Sequence, residues 1–143
     1  MNLTYTTADV TDITPIYQFC KKLIDTYENL QTIPYDKVLN WVRTKIETNI
    51  HEYQCIWLNG QKVGYYHFFQ NGEKMELDNF YIFPEFQKQG IGTQVLQKCI
   101  EESQRPIFLY VFQRNTGAVA LYQRLGFRIV ENIENSRYIM LRE

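Results

Sequence analysis

No stretch of the 143 residues is apolar for long enough to span a membrane, and the first residues, Met1-Asn2-Leu3-Thr4-Tyr5, lack the basic and apolar segments of an export signal. Cysteine is scarce. Cys20, Cys55 and Cys99 are odd in number, far apart and outside any Cys-x-x-Cys spacing, which argues against a disulfide framework and against a zinc site. Charge of either sign is not in excess: 15 Lys and Arg stand against 16 Asp and Glu, so there is no basic footprint for a nucleic-acid backbone. Repeats, linkers and low-complexity segments are missing as well. These absences lead us to expect a cytoplasmic chain in a reducing compartment, one domain over 1–143, with no metal and with neither nucleic acid nor membrane as a partner. What the chain does have is aromatic side chains, 11 Tyr, 9 Phe and 2 Trp, most of them expected in a core and the rest free to line a cleft.

The order of elements follows from periodicity and turn chemistry. Leu3 to Thr7 reads as a strand, after which Asp9 or Asp12 can cap a helix with Ile13, Ile16, Phe19, Cys20 and Leu23 at helical spacing, fading near Tyr27. A second helix is expected from Tyr35 to about Ile46, with Val38, Trp41, Val42 and Ile46 on one face. Asn59-Gly60 and Asn71-Gly72 then punctuate three antiparallel strands, the last running from Met75 to Phe83. Ile91, Val95, Leu96, Cys99 and Ile100 give the next helix a continuous apolar face that ends before Pro106. Ile107 to Val111 reads as an interior strand, reached by a right-handed crossover and hence parallel to the strand at Met75 to Phe83. A short helix from Thr116 to Leu125, capped by Asn115 and closed by Gly126, and strands at Phe127 to Glu131 and Tyr138 to Leu141 complete the chain.

Glycines are few, 7 in all, which makes the pair at Gly90 and Gly92 informative. They stand where a strand runs out and a helix begins. Backbone N–H groups there have no intrahelical partner, and the helix dipole adds partial positive charge, so the junction accepts an anion. Glycine removes the Cβ atoms that would hold a diphosphate away and permits conformations closed to other residues. The dinucleotide fingerprint fails, because Val95 stands where it wants a small residue; the nucleotide P-loop fails because Gly92-Thr93 lacks its lysine.

The surviving pattern is Gln87-Lys88-Gln89-Gly90-Ile91-Gly92, preceded by Leu77, Phe80-Tyr81-Ile82, Pro84 and Phe86. It closely resembles the acyl-CoA motif of the GNAT superfamily of N-acetyltransferases. Asn115, with Tyr122 seven residues on and then Gly126-Phe127, resembles that family's second signature, and the order of elements is similar throughout the chain. The resemblance implies an α+β GNAT fold, a splayed mixed sheet of about seven strands flanked by about four helices. It implies acetyl-CoA as co-substrate, with the backbone of Gln87, Lys88, Gln89, Gly90, Ile91, Gly92 and Thr93 on the pyrophosphate. Phe80, Tyr81 and Ile82 would pair with the pantetheine as a pseudo-strand, and Asn115 would contact that arm or a water linked to it. Gln87 and Gln89 depart from the family in lacking a basic side chain, a role that Lys88 and Arg124 could share.

Acetyl transfer to an amine needs a neutral amine, a polarised carbonyl and a proton for the departing sulfur. A lysine-like amine of pKa about 10.4 costs about 4 to 5 kcal/mol to deprotonate at pH 7, so a base is desirable. By resemblance to the histone-acetylating branch, Glu76 is a candidate; Asp78 shares its strand face by two-residue alternation, and His67 is held in reserve. Tyr122 matches the family tyrosine that protonates the thiolate, and the N–H of Phe80 is the candidate carbonyl polariser. The acceptor carries no motif: a small-molecule amine ranks above a peptide amine, whether a protein N-terminus or a lysine, with Tyr27, Glu28, Tyr35 and Tyr66 as candidate lining. A non-catalytic acyl-CoA sensor is the alternative, and a homodimer is left open.

Overall fold

The computed structural model describes residues 1–143. In chain order the elements are β1 (Leu3–Thr7), a 3-10 turn (Val10–Asp12), α1 (Ile13–Tyr27), α2 (Tyr35–Asn49), β2 (Tyr53–Leu58), β3 (Gln61–Asn71), β4 (Lys74–Ile82), α3 (Ile91–Glu102), β5 (Ile107–Phe112), α4 (Thr116–Arg124), β6 (Arg128–Ile133) and β7 (Arg137–Arg142). All strands join one sheet of order β1-β2-β3-β4-β5-β7-β6. Only β4 and β5 run parallel, as a strand joined to its neighbour through a crossover helix must.

The β2–β3 hairpin forms for the expected reason: Asn59 and Gly60 both have positive φ, 51° and 78°, which suits the twist of the flanking strands. Asp9 rather than Asp12 supplies the first cap, accepting from the Thr11 amide at 2.9 Å. Asp12 is instead buried and held by the Asp9 amide at 3.0 Å, Lys62 Nζ at 2.7 Å and the Tyr65 hydroxyl at 3.2 Å. This cluster ties the start of α1 to β3 across the sheet.

Two cores lie on opposite faces of the sheet. Ala8, Ile16, Cys20, Ile46, Ile50, Tyr53, Cys55 and Tyr65 pack beneath α1 and α2. Val95, Leu96 and Cys99 of α3 pack with Leu77, Ile107, Leu109, Val111 and Met140 on the other side, joined by Tyr122 of α4. Helix α2 departs from expectation. Trp41 is 63% exposed and Leu39 takes the buried position with Ile46, because Trp41 instead lies beside the Lys45 ammonium, 5.3 Å from its ring centre. The helix also continues past Ile46 to Asn49, whose side chain donates to the Lys45 carbonyl at 2.9 Å.

The sheet splits in the middle. β4 and β5 pair only through Met75↔Ile107, Glu76↔Phe108 and Leu77↔Leu109, although β4 continues to Ile82 and β5 to Phe112. Beyond Leu77 the β5-side edge of β4 has lost its strand partner. A bulge marks the same place: Asn79 has φ 49°, and the β3 register shifts between Tyr65 and His67. Helix α1 bridges the split from above, with Phe19 stacked on Tyr81 at 4.2 Å, Tyr27 5.9 Å from Phe112, and Glu28 accepting from Ser136 Oγ at 2.8 Å.

Gly64 allows the β4 arm to lie where it does. A Cβ built at this buried position of β3 would stand 2.2 Å from the carbonyl oxygen of Tyr81, a backbone atom with no rotamer to escape into. Gly64→Ala is therefore expected to cost about 3 kcal/mol and to lower Tm by about 10 °C, since overpacking against backbone cannot relax locally. Thermal and urea unfolding check this; a wild-type Tm would mean that the arm yields freely.

Candidate active site

The glycine loop opens on solvent at the far end of β4. Gln87, Lys88, Gln89 and Gly90 are all exposed, and α3 begins without a side-chain cap. Lys88 and Gly90 are left-handed, with φ 62° and 85°. None of the amides of Lys88, Gln89, Gly90, Ile91, Gly92 and Thr93 donates to another backbone group of the chain, whereas the Gln87 amide reaches Pro84 O at 3.3 Å. Six adjacent N–H groups at a helix start are thus left without backbone acceptors, an arrangement that favours an anion.

The two glycines serve different ends. At Gly90 an added Cβ would meet only Met1 Cε at 3.9 Å, so the requirement there is the left-handed backbone rather than space. At Gly92 a Cβ would lie 3.4 Å from Leu121 and 3.5 Å from Phe80, ordinary contact distances, so this position faces α4 and the β4 arm rather than solvent. The two glutamines that stand in place of the family's basic residues fold back onto the chain: Gln87 Nε2 donates to Ile82 O at 2.8 Å and Gln89 Nε2 to Glu85 O at 3.2 Å. A neutral amide can staple the loop to the end of β4 in a way that an arginine aimed at a phosphate would not.

Along β4 the side chains divide between faces. Phe80 and Ile82 join the α3-side core, while Tyr81 stacks with Phe19 of α1. Asn79 donates to the Tyr53 hydroxyl at 2.6 Å and accepts from Cys20 Sγ at 3.2 Å. Beside it a small apolar pocket is lined by Ile16, Phe19, Cys20, Leu23, Tyr65, Asn79 and Tyr81.

Glu76 and Asp78 differ in setting. Glu76 is 7% exposed, not on a solvated strand face, and accepts from Asn71 Nδ2 at 3.1 Å. Burial raises its pKa, and the neighbouring charge of Asp78 adds to the shift against the Asn71 hydrogen bond and Lys45. Its place opposite Phe108 lies in the last paired segment, whereas Asp78 lies just past it. Asp78 accepts from the Asn79 amide at 2.9 Å and forms an ion pair with Lys45 of α2.

His67 pairs across β3 and β4 with Asp78 and lies between the rings of Tyr53 at 4.5 Å and Phe69 at 4.3 Å. It is 2% exposed; Nε2 is 3.4 Å from Glu52 and Nδ1 has no partner. Burial lowers its pKa below 6.5, against the Glu52 contact. The unfolded chain therefore binds this proton first, and stability is full above about pH 6.5 and falls as pH drops toward the folded value. Asp12 adds a second loss. Burial alone would raise its pKa, but the Lys62 hydrogen bond and the Asp9 amide outweigh burial and lower it, so its stabilisation is present above about pH 4 and lost below. Glu76, raised, acts in the opposite sense, its contribution fading as pH rises through the folded value. Urea unfolding measured from pH 8 to 3 should show the first decline just under pH 6.5 in the wild type and not in His67→Phe; the same decline in both would reassign it.

Tyr122 is 8% exposed, with its ring edge-on to Phe127 at 5.8 Å. Burial pushes its pKa up, and the charge of Asp78 adds a smaller effect in the same direction. A phenol so placed keeps its proton at neutral pH. Asn115 caps α4 by accepting from the Ala118 amide at 3.4 Å, which commits its oxygen to the helix.

The candidate acceptor residues do not converge. Tyr66 lies in the α3-side core, edge-on to Tyr5; Tyr35 bonds to Asp25 at 2.7 Å on the outer surface; only Tyr27 and Glu28, at the end of α1, lie over the split. No helix is long and apolar enough to cross a membrane, and no three His, Cys, Asp or Glu side chains are grouped to hold a metal ion.

Comparison with known proteins defines the family. The sequence pattern of the acetyltransferase (GNAT) family matches residues 12–127, and the chain belongs to that family. It is 31% identical over 80 residues to the spermine/spermidine N(1)-acetyltransferase of Bacillus subtilis, covering 52% of each chain. It is 34% identical over 59 residues to the [ribosomal protein bS18]-alanine N-acetyltransferase of Escherichia coli, covering 38% of this chain and 40% of that one. The chain thus spans about half, or less, of the length of the curated relatives it matches. Among solved structures, the PaiA N-acetyltransferase of Thermoplasma acidophilum in complex with coenzyme A superposes with a TM-score of 0.67 at 17% identity, over 100% of this chain and 99% of that one, a likeness of fold.

Proposed function

We propose that this protein transfers the acetyl group of acetyl-CoA directly to a primary amine, a small molecule ahead of a protein or peptide amine. The observation that carries this is the split of β4 from β5 after Leu77↔Leu109, with six unpartnered amides at one end and Asp78 just past the last pair. The pyrophosphate lies on the amides of Lys88 to Thr93. The pantetheine pairs with the freed edge of Phe80, Tyr81 and Ile82, and the Phe80 N–H polarises the thioester carbonyl. Glu76, whose pKa burial raises, takes the acceptor's proton directly or through water, and Tyr122 protonates the departing sulfur.

The acceptors for which the two relatives are named, spermine or spermidine and an alanine of a ribosomal protein, both offer primary amines. Thiol release from acetyl-CoA against polyamines, monoamines and N-terminal peptides tests the proposal. Turnover with at least one class is expected. CoA binding without turnover for any amine would convert the site to an acyl-CoA sensor, and absence of CoA binding would remove both.

A further inference from the structure

The amine that the structure itself brings to the acidic side of the split belongs to the chain: Lys45. Its Nζ is paired with Asp78, and Asp78 stands one residue past the last β4–β5 pair and two before Phe80. The ammonium also lies 5.3 Å from the ring of Trp41. The side chain is 28% exposed, so its four-carbon stem is not locked by packing. Asp78 is also the group whose field reaches the Tyr122 hydroxyl. Lys45 is therefore held on the carboxylate that stands just past the β4–β5 ladder.

We propose that Lys45 is an internal acetyl acceptor, modified in cis by the bound acetyl-CoA. The inference rests on the function proposed above. The nitrogen of Lys45 bonds to the acetyl carbonyl carbon and the carbon–sulfur bond breaks. Of the two protons that the ammonium sheds, one ends on the CoA sulfur through Tyr122 and the other leaves through Asp78 to water. The products are Nε-acetyl-Lys45, free CoA and one proton. A tethered nucleophile reacts at high effective concentration, which sets Lys45 apart from lysines held only on the surface. Lys21 and Lys98 provide the comparison, since each is paired with a carboxylate one helical turn on along its own helix, Asp25 at 2.8 Å and Glu102 at 3.0 Å, and not with a residue of β4. Acetylation removes the charge of Lys45, breaks its pair with Asp78 and leaves that carboxylate free for an external ammonium.

The test incubates the full chain with acetyl-CoA and no added amine, and maps acetyl-lysine by tandem mass spectrometry over time. Lys45 is expected to gain its acetyl group at least about tenfold faster than Lys21 and Lys98. The rate per molecule should not depend on protein concentration, and it should fall in Tyr122→Phe while the Lys21 and Lys98 rates stay unchanged. In Lys45→Arg the fast phase should disappear, with no other lysine replacing it. Labelling of Lys45 no faster than Lys21 and Lys98, alongside thiol release with an external amine, overturns this inference and leaves the proposed function standing. Loss of CoA binding and of all thiol release overturns both.

Discussion

Tyr122→Phe is expected to lower kcat by about 10²-fold or more while CoA affinity stays within about twofold of wild type. The hydroxyl is the only group removed, and the ring that packs edge-on to Phe127 remains, so the fold has no reason to change. In the proposed mechanism the thiolate leaves with a proton from this phenol, which burial and, less so, the Asp78 charge keep protonated at neutral pH. Without that phenol it leaves unprotonated or waits for water, which raises the barrier of the chemical step and not the binding of the ground state. Steady-state kinetics and a CoA titration of the same preparation separate the two. Equal kcat in both proteins would take the proton-donor role away from Tyr122; a matched loss of CoA affinity would make it a packing residue.

Gly90→Val is expected to weaken CoA binding by about 10²- to 10⁴-fold. A β-branched residue does not hold φ 85°, so the loop abandons its left-handed turn and the amides around it lose their common direction. Two charge-assisted hydrogen bonds lost at about 1.5 to 3 kcal/mol each account for that range. Gly90→Ala, which fits the space but not the backbone preference, should fall between. The exposed loop has few packing partners, so Tm should change by no more than a few degrees; calorimetry and thermal unfolding check both halves. Unchanged affinity in Gly90→Val would move the diphosphate elsewhere.

Local chemistry made most of the fold legible. Asn59-Gly60 announced a hairpin because two positive φ values in succession are closed to most residues, and the apolar stripe of α3 announced a helix laid across a sheet. The loop at Gly90 and Gly92 and the tyrosine of α4 became candidates through their resemblance to a family's motifs, whose spacing is short. What stayed hidden depends on residues distant in sequence. Gly64 reads as an ordinary strand residue until the carbonyl of Tyr81 is seen to pass through the space of its missing Cβ. Lys45 and Asp78 are 33 residues apart, and no pattern in either segment points to the other. Glu28 and Ser136, which close α1 over the split, are 108 apart. Trp41 misled because helical spacing reports an apolar stripe and not which neighbours will cover it; the ammonium of Lys45 occupies the space beside its ring instead of a core. Gln87 and Gln89 likewise looked like lost phosphate contacts, when their amides brace the loop from within.

A crystal structure of the protein with bound coenzyme A tests the central claim most directly. The account predicts the diphosphate within hydrogen-bonding distance of amides between Lys88 and Thr93, the pantetheine running along Phe80 to Ile82 between β4 and β5, and the sulfur beside the Tyr122 hydroxyl. Coenzyme A bound outside the split, or a β4–β5 ladder continuing beyond Leu77↔Leu109, would contradict it.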